Sequence, residues 1–147
     1  MELFTHEYFM NEALKQAKIA FEEGEIPVGA VIVSKNKIIG RGYNQTEKLQ
    51  DVTAHAEMIA ITSAANYLGA KYLIDCRLYV TLEPCPMCAG ALFWSQIGEV
   101  YYAASDPKRG FHQCNDSMLH PKTKVFSGIM AEPAQDLVNE FFKKLRE

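Results

Sequence analysis

Apolar residues fall into two rhythms along this chain. Phe9, Ala13, Ala17, Ala20 and Phe21 recur at helical spacing, behind Thr5, a capping residue type, and ahead of Gly24, a helix stop; they predict a first helix with an inward apolar stripe. Residues 28–33 and 38–43 are instead short apolar runs rich in β-branched side chains, separated by Ser34-Lys35-Asn36-Lys37, and read as a hairpin. A polar loop over 44–51 leads to a helix over 54–68, with Thr53 as its candidate cap. A third strand follows over 77–82, then a helix over 86–95 with proline in its permitted first turn, and a fourth strand over 99–103. After an irregular region over 104–122 come a short strand over 125–129 and a closing helix over 133–144. The alternation predicts an α/β fold of three layers, with helices on both faces of a mixed five-stranded sheet. No internal repeat or low-complexity segment interrupts it.

Composition narrows the class. At 147 residues and 48% hydrophobic, the chain fits one domain over 1–147 around one sizeable core. No basic segment followed by an apolar run opens it, and no stretch reaches 18 uninterrupted apolar residues, so neither secretion nor membrane spanning is expected and the location is expected to be cytoplasmic. A reducing compartment also keeps a Cys-x-x-Cys pair available for metal. Of the other two cysteines, Cys76 is expected as a buried thiol and Cys114 as a free one in a polar loop. Eighteen acidic against 15 basic side chains give a net charge of −3, so the whole molecule is no electrostatic trap for RNA. Distribution alters that picture: residues 1–60 hold nine acids and six bases, residues 105–147 six acids and seven bases. Lys108, Arg109, Lys122 and Lys124, with Phe141-Phe142-Lys143-Lys144-Leu145-Arg146, are the candidates for a basic face with an aromatic for stacking.

The chemistry concentrates in His55-Ala56-Glu57 and Pro84-Cys85-Pro86-Met87-Cys88, which supply one imidazole, two thiols and one spare carboxylate. Cysteines at i and i+3 in a first helical turn project to one side and share an ion, and a third protein ligand leaves the fourth tetrahedral position for water. Two residues along a regular helix is roughly 200° of rotation, so His55 and Glu57 face one centre only near a distorted helix start. Glu57 is therefore read as flanking the ion and contacting its water instead of ligating it. Two thiolates already cancel the charge of Zn²⁺, which leaves the water less acidic than in an all-histidine site and calls for a nearby base; Glu57 supplies it and carries the proton onward to a ring nitrogen and a departing amine. Hydrolytic deamination is the reaction indicated. The competing reading is a closed structural site that recruits Cys76, Cys114, His112 or His120, but it leaves Glu57 without a task.

His-x-Glu followed by Pro-Cys-x-x-Cys is the signature of the zinc nucleobase deaminases. Within that superfamily the chain resembles the bacterial tRNA-specific adenosine deaminases. The likeness runs through Ile26-Pro27-Val28-Gly29-Ala30-Val31-Ile32-Val33, Thr53-Ala54-His55-Ala56-Glu57, Leu78-Tyr79-Val80-Thr81-Leu82-Glu83-Pro84-Cys85 and Met87-Cys88-Ala89-Gly90-Ala91, and covers residues 5–145. The resemblance implies a cytidine-deaminase-like fold, one Zn²⁺ per subunit on His55, Cys85 and Cys88, Glu57 as catalytic residue, and conversion of a wobble adenosine in a tRNA anticodon stem-loop to inosine. It further implies a homodimer, with no membrane and no DNA partner. An anticodon-loop base is already partly unstacked and costs little to extrude.

For substrate contacts the resemblance offers Asn44, Val28, the backbone of Ala56, Asp106 and Phe142. Asn44 matches a nucleotide-binding asparagine or else shapes a turn. Val28 and Ala56 match base-pocket positions, although a valine at a strand start also suits a core. Asp106 matches an aspartate that contacts RNA beside the target, or caps a turn before Pro107. The closing helix meets the anticodon loop in the family, and one of Phe141 and Phe142 must face the core. Phe93 and Trp94 read as packing or a subunit contact. Two departures stand out: Leu119-His120-Pro121 continues as Lys122-Thr123-Lys124 without the Asn-His pair of many relatives, and Phe111-His112-Gln113-Cys114-Asn115-Asp116 differs from better-known members. Rim contacts there do not carry over. The alternatives are a deaminase of free bases or nucleosides of guanine or cytosine type, whose guanine members generally place phenylalanine where this chain has Val28, and an RNA-binding scaffold that keeps zinc for stability.

Overall fold

The computed structural model describes residues 4–114 and 117–147, so Asn115 and Asp116 lie outside the described residues. Thr5 caps α1 (His6–Glu22), its hydroxyl accepting from the Tyr8 N–H at 3.0 Å, and Gly24 follows the helix end at φ +79°. β1 (Gly29–Ser34) and β2 (Lys37–Tyr43) form the expected hairpin. Lys35 and Asn36 both take positive φ, 52° and 62°, the tight turn whose twist suits paired strands. Then come α2 (Ala56–Leu68), β3 (Arg77–Leu82), α3 (Pro86–Ser95), β4 (Glu99–Ala104), a 3-10 turn (Phe111–Gln113), β5 (Lys124–Ser127) and α4 (Ala131–Leu145).

The five strands make one mixed sheet in the order β2-β1-β3-β4-β5, with β1 antiparallel to β2 and β3, and β4 parallel to β3 and β5. Strand alternation divides the core. Ala30, Ile32, Leu78 and Val80 face Ala60 and Ala64 of α2 and Ala89 and Leu92 of α3; Val31, Val33, Tyr79 and Tyr101 face Phe9, Met10 and Ala13 of α1 and Ala134 of α4. Small residues bring α2 unusually close to β2. A Cβ on Gly42 would overlap the Ala56 carbonyl oxygen, and one on Gly40 would come to 2.6 Å from that of Ala60. This contact seats the first turn of α2 against the strand ends.

Several boundaries differ from expectation for stated reasons. The second helix begins at Ala56, because Thr53 is spent on Asp51: its N–H and hydroxyl both donate to Asp51 Oδ1, at 2.8 and 2.7 Å. The helix is capped from a distance instead, by Asn44 Oδ1 accepting from the Ala56 N–H at 2.9 Å. β5 starts at Lys124 and the closing helix at Ala131, after Met130 turns the chain at φ 59°. The basic face also divides. β5 runs parallel to β4 with Lys124 opposite Glu99, at the strand starts, so Lys124 stands at the end of the sheet opposite to Ser105, Lys108 and Arg109. Counting charge by segment joined what the parallel return separates.

Candidate active site

Both chemical motifs sit where the chain enters a helix. His55 precedes α2 in extended conformation (φ −79°, ψ 155°), and Cys85 precedes α3 in the same way (φ −74°, ψ 169°), with Cys88 in the first turn of that helix. The break from helical geometry at His55 is what lets it and Glu57 approach one centre. β3 ends at Leu82, opposite Ala104 at the end of β4, so the site occupies the C-terminal ends of the parallel strands, where α/β sheets open a crevice.

His55 Nδ1 lies 3.6 Å from Cys85 Sγ and 3.5 Å from Cys88 Sγ. A tetrahedral ion with Zn–S of about 2.3 Å and Zn–N of about 2.0–2.1 Å sets the separation of an N and an S ligand at roughly 3.5 Å. The donor set thus fits Zn²⁺, with Nδ1 as the nitrogen. The three donor atoms lie within 4.8 Å of one another, and among the described residues they are the one His/Cys/carboxylate group so arranged. Cys76, Cys114, His112 and His120 stand outside it, which removes the closed four-ligand alternative among the described residues. Cys76 is buried, with its thiol pushed up by that burial, and Cys114 is free and exposed.

The electrostatics prepare the site for a cation. The Cys88 thiol donates to Cys85, and this bond, with His55 alongside, holds Cys85 down at about 4; the same bond and burial push Cys88 well above the ordinary thiol range. One thiolate and one proton are therefore shared by the pair, and metal binding releases the proton. Cys85 in turn raises His55. Glu57 is 3% exposed and outside the ligand trio, and burial pushes its carboxyl up to about 7.

These groups open into a cavity of about 740 Å³. Of the lining residues, Val28, Asn44 and Glu57 are buried and His55 and Cys85 half-buried, which makes them its floor; Asp106 and Phe142 are half-buried and Lys108, Arg109 and Arg146 exposed, which makes them its rim. Cys88 is fully buried behind them. Asn44 spends its carbonyl oxygen on Ala56, so it fixes α2 while lining the cavity. Ala56 is fully buried, its N–H donated to Asn44, and it does not line the cavity. Asp106 does cap a turn, with Oδ1 accepting from the Lys108 and Arg109 N–H groups at 3.1 and 3.0 Å, and it lines the rim as well. Phe141 is the core member of its pair and Phe142 the cavity member. Trp94 is 76% exposed, its neighbour Phe93 resting against His120 with ring centres 5.7 Å apart.

Sequence reasoning passed over two buried carboxylates beside the cavity. Glu25 accepts from the Glu47 and Lys48 N–H groups at 3.2 and 2.8 Å and holds the 44–51 loop. Glu83, which lines the cavity, does the same for the opposite loop. Its place directly before Pro84-Cys85 was the available signal.

Residues 4–104 match the family described as "Cytidine and deoxycytidylate deaminase zinc-binding region". The chain belongs to that deaminase family. Among its relatives, the tRNA-specific adenosine deaminase of Aquifex aeolicus is 48% identical over 145 residues, 95% of each chain. A solved structure from work on "A-to-I Editing by tRNA:A34 Deaminases at the Wobble Position of Transfer RNA" superposes with a TM-score of 0.82 at 40% identity, covering 88% of this chain and 98% of the other. The crystal structure of guanine deaminase from Bacillus subtilis superposes with a TM-score of 0.66 at 46% identity, covering 69% of this chain and 65% of that one. The mixed sheet with helices on both faces is thus the deaminase fold, and the His55, Cys85 and Cys88 trio is its zinc site.

Proposed function

We propose that this protein deaminates the wobble adenosine of a tRNA anticodon loop to inosine by hydrolysis, releasing ammonia. The observation that carries the reading is the zinc trio with a buried, non-ligating Glu57 at the floor of a cavity whose rim bears Lys108, Arg109, Arg146 and Phe142. Zn²⁺, when bound there, supplies the Lewis acidity that makes water a nucleophile at neutral pH. Glu57 accepts a proton from the attacking water and delivers it to ring N1 as C6 is attacked; it then takes the proton of the new C6 hydroxyl and passes it to the amino nitrogen, which departs as ammonia as C6 becomes a carbonyl. With its carbonyl oxygen held by Ala56, Asn44 has its amide N–H donors left for the nucleotide. Val28 packs against the base, Asp106 meets a flanking ribose, and Phe142 stacks beside the cations of the rim. The relatives named as tRNA-specific adenosine deaminases support RNA over a free base, and the valine at position 28 supports the same choice.

We further infer a cytoplasmic homodimer; Trp94, Met87 and Val52 are among the exposed apolar side chains available for a subunit contact. No helix among the described residues is long and apolar enough to cross a membrane. The test is inosine formation in an anticodon hairpin against a panel of free guanine, cytosine and adenine, with Glu57→Ala alongside. Inosine in the hairpin alone supports the reading. Ammonia from guanine or cytosine, with the hairpin untouched, replaces it by free-base deamination, and turnover unchanged in Glu57→Ala removes Glu57 from the chemistry.

A further inference from the structure

The 105–112 loop carries three rim residues, and a side chain outside the proposed chemistry holds it. We propose that Glu83 is a positioning residue that fixes this loop, and with it Asp106, Lys108 and Arg109, relative to the metal ligand Cys85, so that it sets how tightly substrate is gripped at the rim. The consequence for RNA rests on the deaminase reading above; the anchoring itself does not.

Glu83 is 6% exposed. Its Oε1 accepts from the Asp106 N–H at 3.0 Å, while Oε2 accepts from the His112 N–H at 3.1 Å and faces His112 Nδ1 at 2.9 Å. One carboxylate thus bridges both ends of the loop. Backbone bonds close the same seam: the Glu83 N–H donates to Ala104 at 2.8 Å and the Phe111 N–H to Pro84 at 2.9 Å. Between the two anchor points the loop is stapled internally, with the Gly110 N–H donating to the Asp106 carbonyl at 2.9 Å. Gly110 packs so tightly on Glu83 that an added Cβ would overlap the carboxylate.

A buried carboxylate is tolerable only when its lone pairs are met, and charge-assisted bonds to N–H groups are the short, strong kind. Because both oxygens face N–H donors, an amide of the same shape must point its own NH₂ at one of them. Glu83 stands two residues before Cys85, so the segment that carries a metal ligand also carries the loop anchor. A displacement of about 1 Å at a substrate-positioning element costs on the order of a hundredfold, read here as kcat/KM through weaker grip on the substrate.

The experiment uses the zinc-loaded full chain with Glu83→Gln, Gly110→Ala, Glu83→Asp and the Gly110→Ala/Glu83→Asp double variant. Expected for Glu83→Gln are unchanged zinc content, kcat close to the unaltered protein and a KM for the anticodon hairpin raised about tenfold to a hundredfold. Hydrogen exchange should speed up at the Asp106 and His112 amides but not at Ala89, which is bonded within α3. The shorter side chain of Glu83→Asp withdraws from the added methyl, so the double variant should be less impaired than the product of its two single effects. Unchanged exchange at Asp106 and His112 overturns the anchoring; loss of zinc with KM unchanged overturns the rim role and moves Glu83 to the metal. Should Glu83→Gln fail to fold, Gly110→Ala, which keeps the carboxylate, faces the same criteria. If the unaltered protein leaves the hairpin untouched, the RNA reading fails while the exchange data still decide the anchoring.

Discussion

Glu57 and Glu83 lie buried in the cavity lining and Glu25 lies buried beside it, and the floor uses its glutamate in the opposite way to the loops at the rim. Glu25 and Glu83 each meet backbone N–H groups of a loop that borders the cavity, so their oxygens are spent on holding that loop in place. At the floor, Glu57 sits in the first turn of α2 beside two cysteines, where burial raises its affinity for a proton. Burial alone therefore does not mark a catalytic carboxylate. What its oxygens face decides: N–H donors of distant loops make Glu25 and Glu83 anchors, whereas Glu57, bonded to its own backbone N–H and to Cys88, faces the cavity beside the metal ligands and works as an acid and base.

The sharpest break between floor and rim is Glu57→Gln. The amide keeps the shape but cannot take a proton, and positioned acid–base catalysis is worth about 10²–10⁴-fold. Expected is a fall in kcat of about 10³-fold with zinc content and hairpin affinity retained. A fall in affinity with kcat preserved would assign Glu57 to the rim kind instead.

Gly42→Ala tests how the floor is seated. The added methyl overlaps the Ala56 carbonyl and pushes the start of α2 off the sheet, and overpacking of this sort costs about 1–3 kcal/mol. Thermal unfolding should drop and kcat fall with it, because the displaced turn carries Glu57. A drop in stability with kcat intact would show that the catalytic turn is set independently of β2.

The floor was largely legible in the sequence and the rim was not. Zinc chemistry restricts ligands to a few residue types at fixed spacing, so His55, Cys85 and Cys88 stand out from one line of text, and the 2.0 and 3.6 periodicities locate strands and helices around them. Helix capping by Asn44 is invisible there, because the partner is 12 residues away and Thr53 offers a plausible local cap. Glu25 and Glu83 look like any exposed acid until the loops whose N–H groups they satisfy are folded. Lys124 joined the wrong surface because sequence order does not say which end of the sheet a parallel strand begins from.

Asn44 belongs to both regions, and two substitutions separate its roles. Asn44→Ala leaves the Ala56 N–H unmet and should cost about 1–2 kcal/mol in unfolding free energy, the usual scale for a lost cap. Asn44→Asp keeps the acceptor for Ala56 but replaces the amide donors with charge, so stability should stay near that of the unaltered protein while KM for the hairpin rises. Equal KM in Asn44→Asp and the unaltered protein would confine Asn44 to holding α2.

The smallest effect expected is the pH dependence of stability in metal-free protein. Glu57 binds its proton more tightly folded, at about 7, than unfolded, at its ordinary value of 4.5. Between those values the folded state holds more protons, so this contribution is fully present below pH 4.5 and is lost as pH rises toward 7. Cys85, held at about 4 against an ordinary 9.0, acts with the opposite sign over its own window, gaining stability as pH rises. Both proteins carry Cys85, so the difference between unaltered protein and Glu57→Gln reports the carboxyl together with its coupling to the cysteine pair. Each pKa unit is worth about 1.4 kcal/mol, and water entering the metal-free cavity screens much of it, so that difference should decline by on the order of 1 kcal/mol from pH 4.5 to 7 in denaturant unfolding. Zinc should flatten the slope, since a divalent cation beside Glu57 favours its ionised form in the folded state. A flat difference without metal would mean that Glu57 is as well satisfied as Glu25 and Glu83, and the distinction between floor and rim would fail at its chemical root.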